Sequence, residues 1–83
     1  MLNFLFFGRL GDFASGIDKA IPYHIDLATP LAIRNKLAEQ HPLLTKELSE
    51  PQVLVSVNKM IVKWDHPLFD GDEIAFLPPV TGG

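Results

Sequence analysis

The chain contains no cysteine. Disulfides, cysteine-rich metal sites and the thiolate-held clusters of iron–sulfur proteins are therefore excluded, and the fold must stand on its core alone. Basic residues are also scarce, with seven Lys and Arg against ten Asp and Glu and a formal net charge of −3. No basic run stands out, so a nucleic-acid partner is not expected. Long hydrophobic runs are missing too. The most apolar stretch, Phe4-Leu5-Phe6-Phe7, is far too short to cross a bilayer, so no membrane is expected. The start lacks the basic lead and extended apolar segment of a secretory signal. A soluble cytoplasmic protein is the expectation, and the missing cysteines suit a reducing compartment.

What is present is apolar residue, at 47% of 83 positions. That length makes one domain, and a domain this small buries only about 60% of the surface its unfolded chain exposes. Residues 2–7 read as a first strand closed by Gly8. Gly8, Gly11 and Gly16 punctuate what reads as a polar loop over 9–20. Ile21, Tyr23, Ile25 and Leu27 alternate with Pro22, His24 and Asp26, the period of a second strand. Thr29-Pro30 predicts a helix start, with a capping hydroxyl followed by a residue that has no N–H to leave unbonded. Ala32, Ile33, Leu37 and Ala38 form its apolar stripe, with Arg34, Lys36 and Glu39 left for water. Pro42 is expected to stop helix beyond His41, and residues 43–52 carry only the signal of a short helical turn.

Val53, Val55 and Val57 predict a third strand, and Asn58-Lys59 a tight turn into a fourth over residues 60–64. Asp65–Pro67 and Asp70-Gly71-Asp72 read as turns. Residues 73–77 read as a last strand, which Pro78-Pro79 ends by removing backbone donors. The first and last strands carry the most continuous apolar sequence, so both belong at the sheet centre. The order β-β-α-β-β-β predicts an α+β fold of the ubiquitin-like β-grasp type: a mixed sheet of about five strands with one main helix packed on one face. The expected division is a folded domain over 1–77 and a flexible tail over 78–83.

Several chemistries find no support. His24, His41 and His66 match no zinc spacing, so no metal is expected. Asp70-Gly71-Asp72-Glu73 lacks the spaced ligands of a calcium loop. The glycines fit no dinucleotide fingerprint, and no serine sits in a nucleophile elbow. Attention moves to Pro78-Pro79-Val80-Thr81-Gly82-Gly83. Two prolines favour a stiff, extended exit, and five residues beyond Pro78 reach roughly 15 Å at the polyproline rise. Gly82 and Gly83 have no β-carbon and can enter a channel that any side chain would block. The reactive group there is the α-carboxylate, ionised at neutral pH and a poor electrophile. It needs conversion to a mixed anhydride such as an acyl-adenylate, and with no phosphate loop in this chain another enzyme must supply the ATP site.

Val57-Asn58-Lys59-Met60-Ile61-Val62, Asp65-His66-Pro67-Leu68, Asp70-Gly71-Asp72-Glu73-Ile74-Ala75-Phe76 and Pro78-Pro79-Val80-Thr81-Gly82-Gly83 closely resemble the family of small, sulfur-carrier subunits of molybdopterin synthase. Phe6-Phe7-Gly8 looks like that family's first strand. The departure lies in residues 9–20, where relatives often carry an Arg-Glu pair and this chain has Gly11-Asp12 after Arg9-Leu10. The resemblance implies a carrier that is not catalytic alone and binds no cofactor of its own. An adenylating enzyme of the ubiquitin-activating type uses ATP on Gly83, and a sulfur donor converts it to a thiocarboxylate. Pro79, Val80, Thr81, Gly82 and Gly83 then enter the large synthase subunit, where sulfur passes to cyclic pyranopterin monophosphate. Two carriers on a dimer of large subunits would form a heterotetramer.

Strand parity adds a surface. If Leu2, Phe4 and Phe6 face the helix, Leu5 and Phe7 face away, and Phe7, Ile61 and Leu77 come to the helix-free side as a partner interface. The resemblance places partner-contacting apolar residues at the same strand positions. Phe7 by itself also fits a small second core under residues 9–20. Three other functions stay open at this point: a carrier for thiazole or another thio-product, a protein modifier joined through Gly83 to lysines, and an interaction domain with an inert tail.

Overall fold

The computed structural model describes residues 1–79. Its centre is the last strand, because residues 73–77 are apolar on both sides and a strand of that kind needs neighbours and cover everywhere. Five strands form one mixed sheet in the order β2-β1-β5-β3-β4. β1 (Leu2–Phe6) runs parallel to β5 (Glu73–Leu77), pairing Phe4 with Ile74 and Phe6 with Phe76. β3 (Leu54–Val57) lies antiparallel on the other side of β5, with Val55 opposite Phe76. β4 (Met60–Val62) closes that edge, and the two-residue β2 (Ala20–Ile21) flanks β1. The first and last strands thus sit together, in the β-grasp arrangement expected from the sequence.

Two local signals act as predicted. The β3–β4 turn places Asn58 and Lys59 at φ 51° and 71°, the positive values a tight hairpin requires and asparagine tolerates. Asn58 also ties the hairpin to β5. Its amide nitrogen donates to Asp72 Oδ1 at 2.9 Å, while its Oδ1 accepts from the Glu73 N–H at 3.0 Å. Helix α2 (Pro30–Ala38) starts on Thr29, whose Oγ1 accepts from the Ala32 N–H at 3.1 Å. Such a cap is worth about 1 kcal/mol. Ile33 on this helix is fully buried against the sheet.

The core lies between the sheet and the helices and includes Leu2, Phe4, Ile33, Leu48, Ile74 and Phe76. Through it runs an aromatic column. Phe6 stacks on Phe76 at 5.1 Å between centroids, and Phe76 on Trp64 at 5.8 Å. A cation closes each end: Lys19 Nζ is 5.5 Å from the Phe6 ring and the Arg34 guanidinium 4.7 Å from Trp64. Stacked rings and cation–π contacts of this kind add to the burial energy of the side chains.

Four local expectations are corrected. Residues 9–20 are not simply a polar loop: Leu10–Phe13 form α1, and Leu10, Ala14 and Ile17 are buried. Their helical spacing was hidden among glycines. Gly11 lets this helix press on the end of β1, where a β-carbon would stand 3.2 Å from the Phe6 carbonyl oxygen. The second strand stops at Ile21, because Pro22 cannot donate to a ladder. Residues Ile25–Leu27 instead form a 3₁₀ turn, in which His24 Nδ1 accepts from the Asp26 N–H at 3.0 Å. Pro42 does not end helix but begins α3 (Pro42–Leu48) at its first position, burying Leu44 and Leu48 one turn apart. The single expected helix is accordingly a layer of α2 and α3, with α1 beside them. Finally, Arg34 is not left to water but lies on Trp64, and Ala38 is exposed. Among the described residues no helix is long and apolar enough to cross a membrane.

Candidate functional site

Among the described residues the helices pack on one side of the sheet, so the other side is judged by its own side chains. Register builds it row by row. Leu5 pairs with Ala75, Ala75 with Ser56 and Ser56 with Ile61, giving one row across four strands. In the next row Leu77 pairs with Leu54. Phe7 extends that row beyond β1, held in line by its N–H donating to the Phe76 carbonyl at 3.0 Å. Leu5, Phe7, Leu54 and Ile61 are 41, 46, 47 and 59% exposed. Leu77 is half-buried, and the small Ala75 and Ser56 between them are buried. The result is a shallow dish with an apolar rim, the kind of exposed patch that marks a protein-docking surface.

Phe7, Ile61 and Leu77, singled out by parity, therefore share one face. Sequence reasoning missed Leu54 and left Leu5 out of the cluster. Residues 53–57 are apolar at nearly every position, which masks their alternation. The single leucine among valines was the available signal.

The tail leaves from this same end of the sheet. Leu77 ends β5, and Pro78 and Pro79 follow half-buried. Gly8 makes room for them: its φ is +56°, and a β-carbon there would stand 2.9 Å from Pro78 Cγ. A side chain at this position would push the root of the tail aside, while glycine accepts both the backbone angle and the neighbour. Val80, Thr81, Gly82 and Gly83, the remaining residues assigned to insertion and acyl chemistry, lie outside the described residues. Among the described residues no group of three or more His, Asp or Glu gathers as a metal site. The side chains on the dish carry no acid–base pair or nucleophile beyond the Ser56 hydroxyl, which is buried. Such a surface is suited to binding another protein.

Comparison with known proteins points the same way. The model of the ThiS family matches residues 4–83. The molybdopterin synthase sulfur carrier subunit of Escherichia coli is 41% identical over 83 residues, covering 100% of both chains. The subunit of the same name from Haemophilus influenzae is 40% identical, again over 100% of both. In fold, the chain superposes on the crystal structure of SAMP1 from Haloferax volcanii with a TM-score of 0.74. That match has 24% identity and covers 99% of this chain and 98% of the other.

Proposed function

This chain belongs to the ThiS family, and on that premise we propose that it is the sulfur carrier subunit of a molybdopterin synthase. The observation that carries this reading is the end-to-end match, at 41% identity, to a protein of that name. The bare apolar face beside the tail root supports it, since a carrier must dock before it can deliver.

The proposed chemistry takes place at Gly83. The Gly83 carboxylate attacks the α-phosphate of ATP in an adenylating partner, and pyrophosphate leaves. A sulfur nucleophile from a donor then displaces AMP from the acyl carbon, leaving a thiocarboxylate. Docking through Phe7, Ile61 and Leu77, joined by Leu5 and Leu54, sets the carrier on the large synthase subunit. Pro79, Val80, Thr81, Gly82 and Gly83 enter that subunit's cavity, where the thiocarboxylate sulfur bonds to cyclic pyranopterin monophosphate and water then cleaves the acyl–sulfur bond, returning Gly83 to a carboxylate. The carrier supplies the acyl group and the fit; it holds no cofactor and performs no catalysis by itself. Two carriers on a dimeric large subunit form a heterotetramer, and the cycle runs in the cytoplasm.

Intact mass spectrometry tests the reading. After incubation with the adenylating enzyme, ATP and a sulfur source, the expected product shows one oxygen replaced by sulfur at Gly83. Covalent adducts on lysines of other proteins would instead make the chain a modifier. Co-purification with the large subunit separates this carrier from one serving thiazole or another thio-product.

A further inference from the structure

We propose that the outer edge of β4 is a strand-addition site for an extended partner segment, with an apolar residue flanked two positions away on each side by acidic ones. β4 is the last strand of its sheet edge, and among the described residues no strand lies beyond it. Hairpin geometry fixes which of its backbone groups are free. Across a two-residue turn Val57 and Met60 form a hydrogen-bonded pair, as do Val55 and Val62. Ser56 and Ile61 form the pair between them, so the N–H and C=O of Ile61 point away from β3. An antiparallel residue set opposite Ile61 would exchange both hydrogen bonds with it.

The surroundings specify the occupant. Ile61 is 59% exposed and belongs to the apolar dish, so an added strand would continue that face. A shallow groove of about 550 Å³ runs alongside, lined by Ile61, Val62, Lys63, Asp65, His66 and Pro67. Lys59 and Lys63 stand two positions to either side of Ile61, and both are exposed. Pairing this edge with a second copy, centred on Ile61, would bring Lys59 in the turn of one copy and Lys63 just past β4 of the other to the same end, twice over, and like charges gathered at a strand edge disfavour pairing. The lysines therefore reject a second copy. Opposite an acidic pair at the same spacing they attract, which gives the edge a preference in both directions. Asp65 lies past Lys63 along the chain and falls outside this five-residue span.

The probe is the peptide acetyl-Thr-Glu-Thr-Val-Thr-Glu-Thr-amide, titrated into the ¹⁵N-labelled full chain and followed by ¹H–¹⁵N spectra. The Ile61 amide is expected to shift downfield and to exchange more slowly with solvent. A peptide with lysine in place of both glutamates should bind about tenfold more weakly. The Lys59→Glu/Lys63→Glu double variant should invert that preference. Ile61→Pro removes the outward donor at a place where proline is tolerated, and should abolish the response while other resonances keep their dispersion. If that variant unfolds, the charge inversion decides alone. Shifts confined to β2 or to the dish away from β4, equal binding of both peptides, binding of neither at millimolar concentration, or a preference the double variant leaves unchanged would each overturn the proposal. The test involves no sulfur chemistry, so its failure leaves the carrier reading standing.

Discussion

On the covered side of the sheet, Phe4, Val55, Ile74 and Phe76 are at most 2% exposed. On the bare side, Leu5, Leu54 and Ile61, from the same strands or their neighbours, remain 41 to 59% exposed. Hydrophobicity alone does not separate these two sets. Helices α2 and α3 cover one face and leave the other open. Side chains on the covered face stabilise the monomer. Those on the bare face contribute little to the monomer, and their burial energy would be realised as affinity only where a second protein removed them from water.

The sharpest way to break this comparison is at the tail, which should belong to neither face. Deleting Gly83 is expected to eliminate sulfur loading, read by intact mass, while changing stability by less than about 0.5 kcal/mol in urea titration. Among the described residues the core ends at Phe76, so a large stability loss would show the terminus to be part of the fold. Phe76→Ala strikes the covered face and the middle of the aromatic column. It should cost about 3–5 kcal/mol of stability, measured as a lower urea midpoint. Phe7→Arg and Leu77→Arg strike the bare face. Far-UV circular dichroism should stay unchanged while affinity for the large subunit falls by about 2–4 kcal/mol in calorimetry. Undiminished binding by both would remove this face from the account. Thr29→Ala touches only the start of the covering helix and should cost about 1 kcal/mol in thermal melts, with no loss of docking.

The contrast also explains which elements were legible in advance. Turn and cap chemistry is written in adjacent residues, so Asn58-Lys59 and Thr29-Pro30 could be read directly. Two prolines had local meanings that depended on position. Pro22 cut the second strand short, and Pro42 opened a helix where a stop was expected, because proline at a first helical position loses no hydrogen bond. α1 was obscured by the glycines around Leu10 and Ala14. Arg34 was assigned to water because nothing near it in sequence announces Trp64, thirty positions away, as its partner.

By itself the amino-acid order determined the periods of the first, third and last strands, the hairpin turn and the helix cap. These depend on backbone sterics, side-chain alternation and a capping hydroxyl, all properties of a few neighbouring residues. Tertiary structure alone decided which side of the sheet the helices cover and which leucines complete the open one. Leu54 reaches Leu77, and Ile61 falls in line with Leu5, only through pairing registers between strands far apart in the chain. Such registers are selected by the burial of the whole core rather than by any local preference.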